Sequence, residues 1–210
     1  MKVAKFGGSS LSNAAQIKKV AAIVKHDSNI KTIVVSAPGK RHDDDVKVTD
    51  MLIGLYSTKI AGLDTDAALS EILERYSSII EELSIDPSLL NDFEDTLKHY
   101  LNTINDDALL LDALKSRGED FNARLISAYF SSIGINAKYV SPEEAGIKVT
   151  NTPANARLIH DSYESLKKLR DYKEDVLVIP GFYGIAENGN IVTFARGGSD
   201  ITGAIIARGI

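Results

Sequence analysis

The chain has 210 residues, 44% of them hydrophobic and 25% charged, enough apolar material for one substantial core. Its formal net charge of -5 lacks the basic excess that a nucleic-acid surface needs, so no nucleic-acid partner is expected. Cysteine is absent, which excludes disulfides and thiolate metal sites and fits a reducing compartment. No apolar run approaches the ~20 residues of a membrane span. Met1–Phe6 leads directly into a strand-like segment rather than a leader peptide. A cytoplasmic protein without a membrane partner is the expectation.

In chain order, Val3–Phe6 reads as a short strand ending at Gly7-Gly8, and a helix follows. Asn13 and Gln16 have capping-box spacing, and Ile17, Val20, Ala21 and Val24 share one face. Thr32–Val35 is a β-branched strand that ends at Ser36-Ala37-Pro38-Gly39. Strand, glycine turn, helix and strand predict a parallel βαβ unit. Gly39–Val48, with Asp43-Asp44-Asp45, reads as a solvated acidic loop rather than a metal site.

A helical excursion follows over about residues 49–117. Leu69, Ile72, Tyr76, Ile79, Ile80 and Leu83 keep helical spacing, as do Leu90, Phe93, Leu97, Leu101 and Ile104 after the Pro87 break. Phe121, Leu125, Ala128 and Tyr129 mark another helix, opened by Gly118-Glu119. Strands return at Ala137–Val140, Val176–Ile179 and Ile191–Phe194, the last two joined as a hairpin-like pair across Glu187–Asn190. Ile201, Ala204 and Ile205 open a final helix. The sheet is incomplete on its carboxyl side, so a longer parent protein is expected. His26, His42, His99 and His160 show no ligand spacing, and no metal site is predicted.

Two glycine turns carry the chemistry. Lys5-Phe6-Gly7-Gly8-Ser9-Ser10 lies between strand and helix, where backbone N–H groups attract anions and Lys5 can neutralise a transferring phosphoryl group. It is neither a Walker motif nor the GxGxxG dinucleotide pattern, which weighs against a dinucleotide-binding oxidoreductase. Arg196-Gly197-Gly198-Ser199-Asp200 also follows a strand and opens a helix. Arg196 offers a planar fork for a carboxylate or phosphate, and Ser199 can cap the helix. Asp200 either serves the helix dipole or organises a substrate ammonium or a metal-bound phosphate.

At these residues the sequence resembles the aspartokinases, members of the amino-acid kinase fold. Lys5–Ser10 is similar to the family's Lys-Phe-Gly-Gly-Thr/Ser-Ser signature, and Arg196–Asp200 matches its Arg-Gly-Gly-Ser-Asp signature unchanged. Ser36, Thr49 in Lys47-Val48-Thr49-Asp50, Gly118-Glu119 and Gly181-Phe182 are weaker matches. The resemblance implies a three-layer α/β/α sandwich with a mainly parallel sheet, here lacking its carboxyl-terminal part and carrying the helical insertion. It implies ATP-dependent phosphorylation of the side-chain carboxylate of L-aspartate to 4-phospho-L-aspartate, with MgATP as the donor. That reaction is the first step towards lysine, threonine and methionine.

By position, Lys5, Gly7, Gly8 and Ser9 would line the ATP phosphates. Thr49, Glu119 and Arg196 would bind aspartate with Ser36 and Ser199 as further contacts, and Lys5 and Asp200 would be catalytic. Without the resemblance, Glu119 reads first as a dipole partner at a helix start, and Thr49 either as a substrate contact or as an N-cap. The family's adenine-binding residues and ACT-type regulatory domains would lie beyond residue 210, so weak activity of the isolated chain and a homo-oligomeric full-length form are expected. The alternatives are another kinase of the same fold, acting on glutamate, acetylglutamate or uridylate, or a non-catalytic aspartate-binding fragment.

Overall fold

A computed structural model describes residues 1–210. β1 (Lys2–Phe6) leads through a 3-10 turn (Gly8–Leu11) into α1 (Ala14–His26), and β2 (Ile30–Val35) follows. Four helices come next: α2 (Val48–Ile60), α3 (Asp66–Leu83), α4 (Leu89–Thr103) and α5 (Asp107–Ser132). After β3 (Ala137–Tyr139) come the short α6 (Pro142–Ala145), β4 (Lys148–Val149) and α7 (Ser162–Leu166). The chain finishes with β5 (Val176–Pro180), β6 (Tyr183–Ala186), β7 (Ile191–Thr193) and α8 (Gly198–Gly209).

The main sheet has the order β1-β2-β5-β3 and is parallel throughout, as the βαβ pattern predicts. Side chains of a strand alternate between its faces, and the alternation in β2 and β5 divides the protein into layers. Ile33, Val35, Val176 and Val178 join a core of 33 buried residues beneath α1 to α5. Val34, Leu177 and Ile179 face the other way into a core of 15 with α7, α8 and the small sheet. Both faces are covered, which is why β2 and β5 read as nearly continuous apolar runs. The result is the three-layer α/β/α arrangement expected from the sequence.

Three readings change. The hairpin across Glu187–Asn190 pairs β7 with β6, in antiparallel register, and not with the strand at Val176–Ile179, which lies in the main sheet. With β4 this hairpin forms a separate three-stranded sheet. Gly118 does not open a helix, because α5 runs unbroken from Asp107 to Ser132. Its carbonyl accepts a hydrogen bond from the buried Tyr76 hydroxyl at 3.0 Å. Tyr76, Phe93 and Phe121 then lock α3, α4 and α5 together, with Phe93 stacked on Phe121 at 4.1 Å between centroids.

The acidic loop is also less exposed than its composition suggests. Asp43 and Asp44 are exposed, but the Asp45 side chain is 8% exposed. It accepts a hydrogen bond from Arg75 Nη1 at 2.9 Å. Arg75 Nη2 also donates to the carbonyls of Gly39 at 2.7 Å and Ser12 at 3.0 Å. One buried guanidinium thereby pins the segment that leaves the first glycine turn to the loop after β2. Arg75→Met would strand the Gly39 and Ser12 carbonyls, while Asp45 keeps its pairing with Arg41 at 2.7 Å, an expected loss of about 3 kcal/mol in urea unfolding. A loss under about 1 kcal/mol would show the loop to be held elsewhere.

Candidate active site

β1 and β2 end side by side, and the loops after them bound one end of a cleft. Gly39 N–H donates to the Gly8 carbonyl at 2.9 Å, and Ser36 N–H to the Phe6 carbonyl at 3.1 Å. A Cβ on Gly8 would lie 2.8 Å from the Ala37 carbonyl oxygen, so this glycine is needed for the approach of the two loops. The helix begins where the Asn13–Gln16 spacing predicts. The 3-10 turn intervenes, and α1 starts at Ala14 with Asn13 as its cap, its side chain accepting from Gln16 N–H at 3.0 Å.

The opposite wall comes from α8. Gly197, at φ 83°, is its N-cap in place of the expected Ser199, which is buried within the first turn. Gly198 leaves room for Phe182, whose ring would lie 2.7 Å from a Cβ there. Phe182 itself has φ 79°, a costly conformation for a bulky residue, and is held by its N–H donating to Thr202 Oγ1 at 3.1 Å.

The cleft has two adjoining lobes, of about 490 and 380 Å³, that share Ser36, Lys47, Thr49 and Glu119. Gly8 and Ser9 line the smaller lobe with Lys40. Lys5 lines the larger one, with Arg196, Ser199 and Asp200. Gly7 lines neither, although a Cβ on it would lie 3.6 Å from Lys5 Nζ. The other nine predicted site residues all border the cleft.

The two glycine turns meet through one ion pair, Lys5 Nζ to Asp200 Oδ1 at 2.8 Å. Arg196 is exposed and makes no ion pair within the chain, so its fork is open to a ligand. Thr49 lies inside the first turn of α2, whose N-cap is Lys47, and does not cap the helix.

Glu119 is the most unusual group. It lies mid-helix, 6% exposed, and its Oε2 has no hydrogen-bond partner. The dipole reading therefore fails, since the start of α5 is two turns or more away. Burial pushes its pKa from 4.5 up to about 8, against the pull of the Ala37 backbone, Arg117 and Lys5. At neutral pH the cleft is then cationic, with Lys5, Lys47, Lys115 and Arg196 facing Asp50 and Asp200. Such a cleft suits anionic ligands.

Several lining residues escaped the sequence reading. Lys115 lies four residues before Glu119 on the same helical face, a spacing that was available as a signal. It is fixed by Asp112, whose Oδ1 lies 3.1 Å from its Nζ. The fully buried Asp112 also accepts from Thr193 N–H and Ala154 N–H, both at 2.8 Å, which ties α5 to β7 and the 151–155 segment. Lys47 and Phe182 were both quoted within motifs but given no role.

The amino acid kinase family model matches residues 1–210. Aspartokinase 3 of Bacillus subtilis is 44% identical over 211 residues, covering 100% of this chain and 46% of that protein. Clostridium acetobutylicum aspartate kinase, a crystal structure, has a TM-score of 0.83 at 34% identity, covering 100% of this chain and 45% of that one. E. coli aspartokinase III in complex with aspartate and ADP (R-state) shares the fold, with a TM-score of 0.81 at 22% identity and the same full coverage of this chain, 46% of its own. The chain thus spans about half the length of the relatives it matches. On the match over its whole length, the chain belongs to the amino acid kinase family.

Proposed function

We propose that this chain supplies the acceptor site and part of the phosphate site of an aspartate kinase. The enzyme transfers the γ-phosphoryl group of ATP to the side-chain carboxylate of L-aspartate. The observation that carries this reading is the Lys5–Asp200 pair at 2.8 Å, which joins both signature turns at a cleft already holding Glu119 and Arg196. Arg196 receives the α-carboxylate, and the Glu119 carboxylate receives the α-ammonium, with the Thr49, Ser36 and Ser199 hydroxyls as further contacts.

The acceptor carboxylate, with an ordinary pKa of about 3.9, is ionised at neutral pH and needs no general base. The obstacle is repulsion between two anions. Lys5 and the N–H groups of the Gly8–Leu11 turn relieve it by charge and by position. The residues fit MgATP as a substrate because the cleft is cationic and narrow-backed at Gly8. No three acidic or histidine side chains converge to cage a metal, so Mg2+ would enter on the nucleotide phosphates with the exposed Asp200 carboxylate available to it.

The test is an acceptor panel on the full-length protein with MgATP, trapping any acyl phosphate with hydroxylamine. Aspartate should give hydroxamate, and Arg196→Ala should raise its KM about a hundredfold. Turnover with glutamate, acetylglutamate or uridylate but not aspartate would replace this reading with one of those kinases.

A further inference from the structure

On the other side of α5 from Glu119 lies a separate cavity of about 460 Å³, bounded by α4, α5, β3 and the β6–β7 hairpin. It shares no lining residue with either lobe of the cleft. We propose that it binds a small oxyanion, carrying a carboxylate or a phosphate group, between Arg117 and Arg124.

The charge balance of the cavity motivates this. Arg117 is 5% exposed and is sandwiched between the rings of Tyr100 at 5.5 Å and Tyr183 at 5.1 Å, which fixes the plane of its fork. Its Nε and Nη2 both donate to Ser116 Oγ, at 3.2 and 3.0 Å, and its Nη1 lies 3.1 Å from Asp120 Oδ2. A guanidinium has five N–H groups, so donors remain. Arg124 Nε lies 2.9 Å from the same Asp120 oxygen but off hydrogen-bond alignment, and this is the one ion pair that Arg124 makes within the chain. The other Asp120 oxygen accepts from the Tyr183 hydroxyl at 2.7 Å and from the Tyr139 hydroxyl.

Asp120 is therefore one carboxylate between two guanidinium groups, its Oδ1 hydrogen-bonded to both tyrosines and its Oδ2 held by the two charges without an aligned hydrogen bond. Burial works to raise its pKa, but the Arg117 and Arg124 charges outweigh burial and hold it below the ordinary carboxyl range. It stays anionic at neutral pH, and one positive charge is left over. Arg117 braces α5 against α4 and β6 through Tyr100 and Tyr183, whereas Arg124, its side chain 34% exposed, lies over the Tyr139 ring of β3 at 5.2 Å. The second arginine, beside an open polar cavity with aromatic walls, supplies a planar fork of the kind that binds a carboxylate or phosphate in bidentate fashion. Glu143, the other acidic residue on the lining, is exposed at the rim and weakens the field without cancelling it.

The test is calorimetric titration of the full-length protein with succinate and, separately, with inorganic phosphate. Either anion, or both, should bind saturably, and the tighter one identifies the ligand chemistry. Arg196→Ala, in the cleft, should leave this binding intact. Arg124→Gln should weaken it by about tenfold or more, the expected loss of one charge-assisted contact. Glu143→Gln, an exposed change that spares the fold, should tighten it by about threefold. Absence of saturable binding by both anions overturns the proposal. So does binding that is lost in Arg196→Ala and unchanged in Arg124→Gln and Glu143→Gln, because the anion then sits in the cleft. These measurements need no kinase turnover, so they fail or succeed independently of the function proposed above.

Discussion

Lys5→Met is expected to lower kcat of the full-length kinase by about a thousandfold while leaving the KM for aspartate within about threefold. Lys5 sits at the carboxyl end of β1, where the family's open sheets gather ligands, and its partner is an aspartate rather than a buried acceptor. Its side chain is 25% exposed and that of Asp200 is 71% exposed. An ion pair this wet contributes little to folding, so the variant should unfold at nearly the same denaturant concentration as the parent. In the proposed reaction, what it loses is a positive charge placed where charge develops between acceptor carboxylate and phosphoryl group. That loss appears in the transition state and hardly in aspartate binding, which rests on Arg196, Thr49 and Glu119 in the proposed arrangement. Steady-state kinetics together with urea unfolding separate the two effects. A fall of less than about tenfold in kcat, or a KM effect of equal size, would remove Lys5 from the phosphoryl-transfer step.

Much of the fold was legible because its signals were local. β2 and β5 are short β-branched runs, β1 ends at a glycine pair, and α3 and α4 keep one apolar stripe each. What was lost depends on contacts between distant segments. Gly118 looked like a helix boundary, yet a Cβ there would come within 2.7 Å of Ala37 Cβ. The glycine lets α5 lie against the loop after β2, and that same contact brings Glu119 to Ser36. A glycine kept for close approach is indistinguishable, in one sequence, from a glycine that ends a helix. β4 has two residues and β6 has four, so neither supplies enough alternation to be seen.

The candidate site was legible where chemistry and backbone demands fall on consecutive residues, at Lys5–Ser10 and Arg196–Asp200. Residues that reach the cleft from the middle of an element gave no such cluster. Lys115 and Asp112 lie on α5, and their partner Thr193 is on β7. Asp45 was assigned to solvent because its two acidic neighbours belong there. Only the fold reveals that Arg75, thirty positions later, is waiting for it.

Glu119→Gln should separate acceptor binding from stability, with opposite signs. In the empty cleft Glu119 holds its proton up to about pH 8, whereas in the unfolded chain it would lose it near 4.5. Between those values the folded state binds more proton than the unfolded state, so the contribution of Glu119 to stability falls as pH rises through this window. Glutamine has no such titration. The variant should therefore melt close to the parent at pH 5 and above it at pH 8. Aspartate binding should behave in the opposite way. In the proposed arrangement the substrate ammonium needs the ionised carboxylate, so below about pH 8 binding must expel a proton, and the parent's KM should rise as pH falls. The limiting slope is about tenfold per pH unit, until the carboxyl in the bound complex itself begins to protonate. In Glu119→Gln the KM should be high, by about a hundredfold at pH 8, and nearly independent of pH. Melting curves at pH 5 and 8, with aspartate KM measured from pH 6 to 9, test both halves. If the parent's KM is flat over that range while the variant still binds poorly, Glu119 shapes the cleft without exchanging a proton on binding. If the variant is instead less stable at pH 8, the burial of Glu119 is compensated by partners beyond Ala37, Arg117 and Lys5.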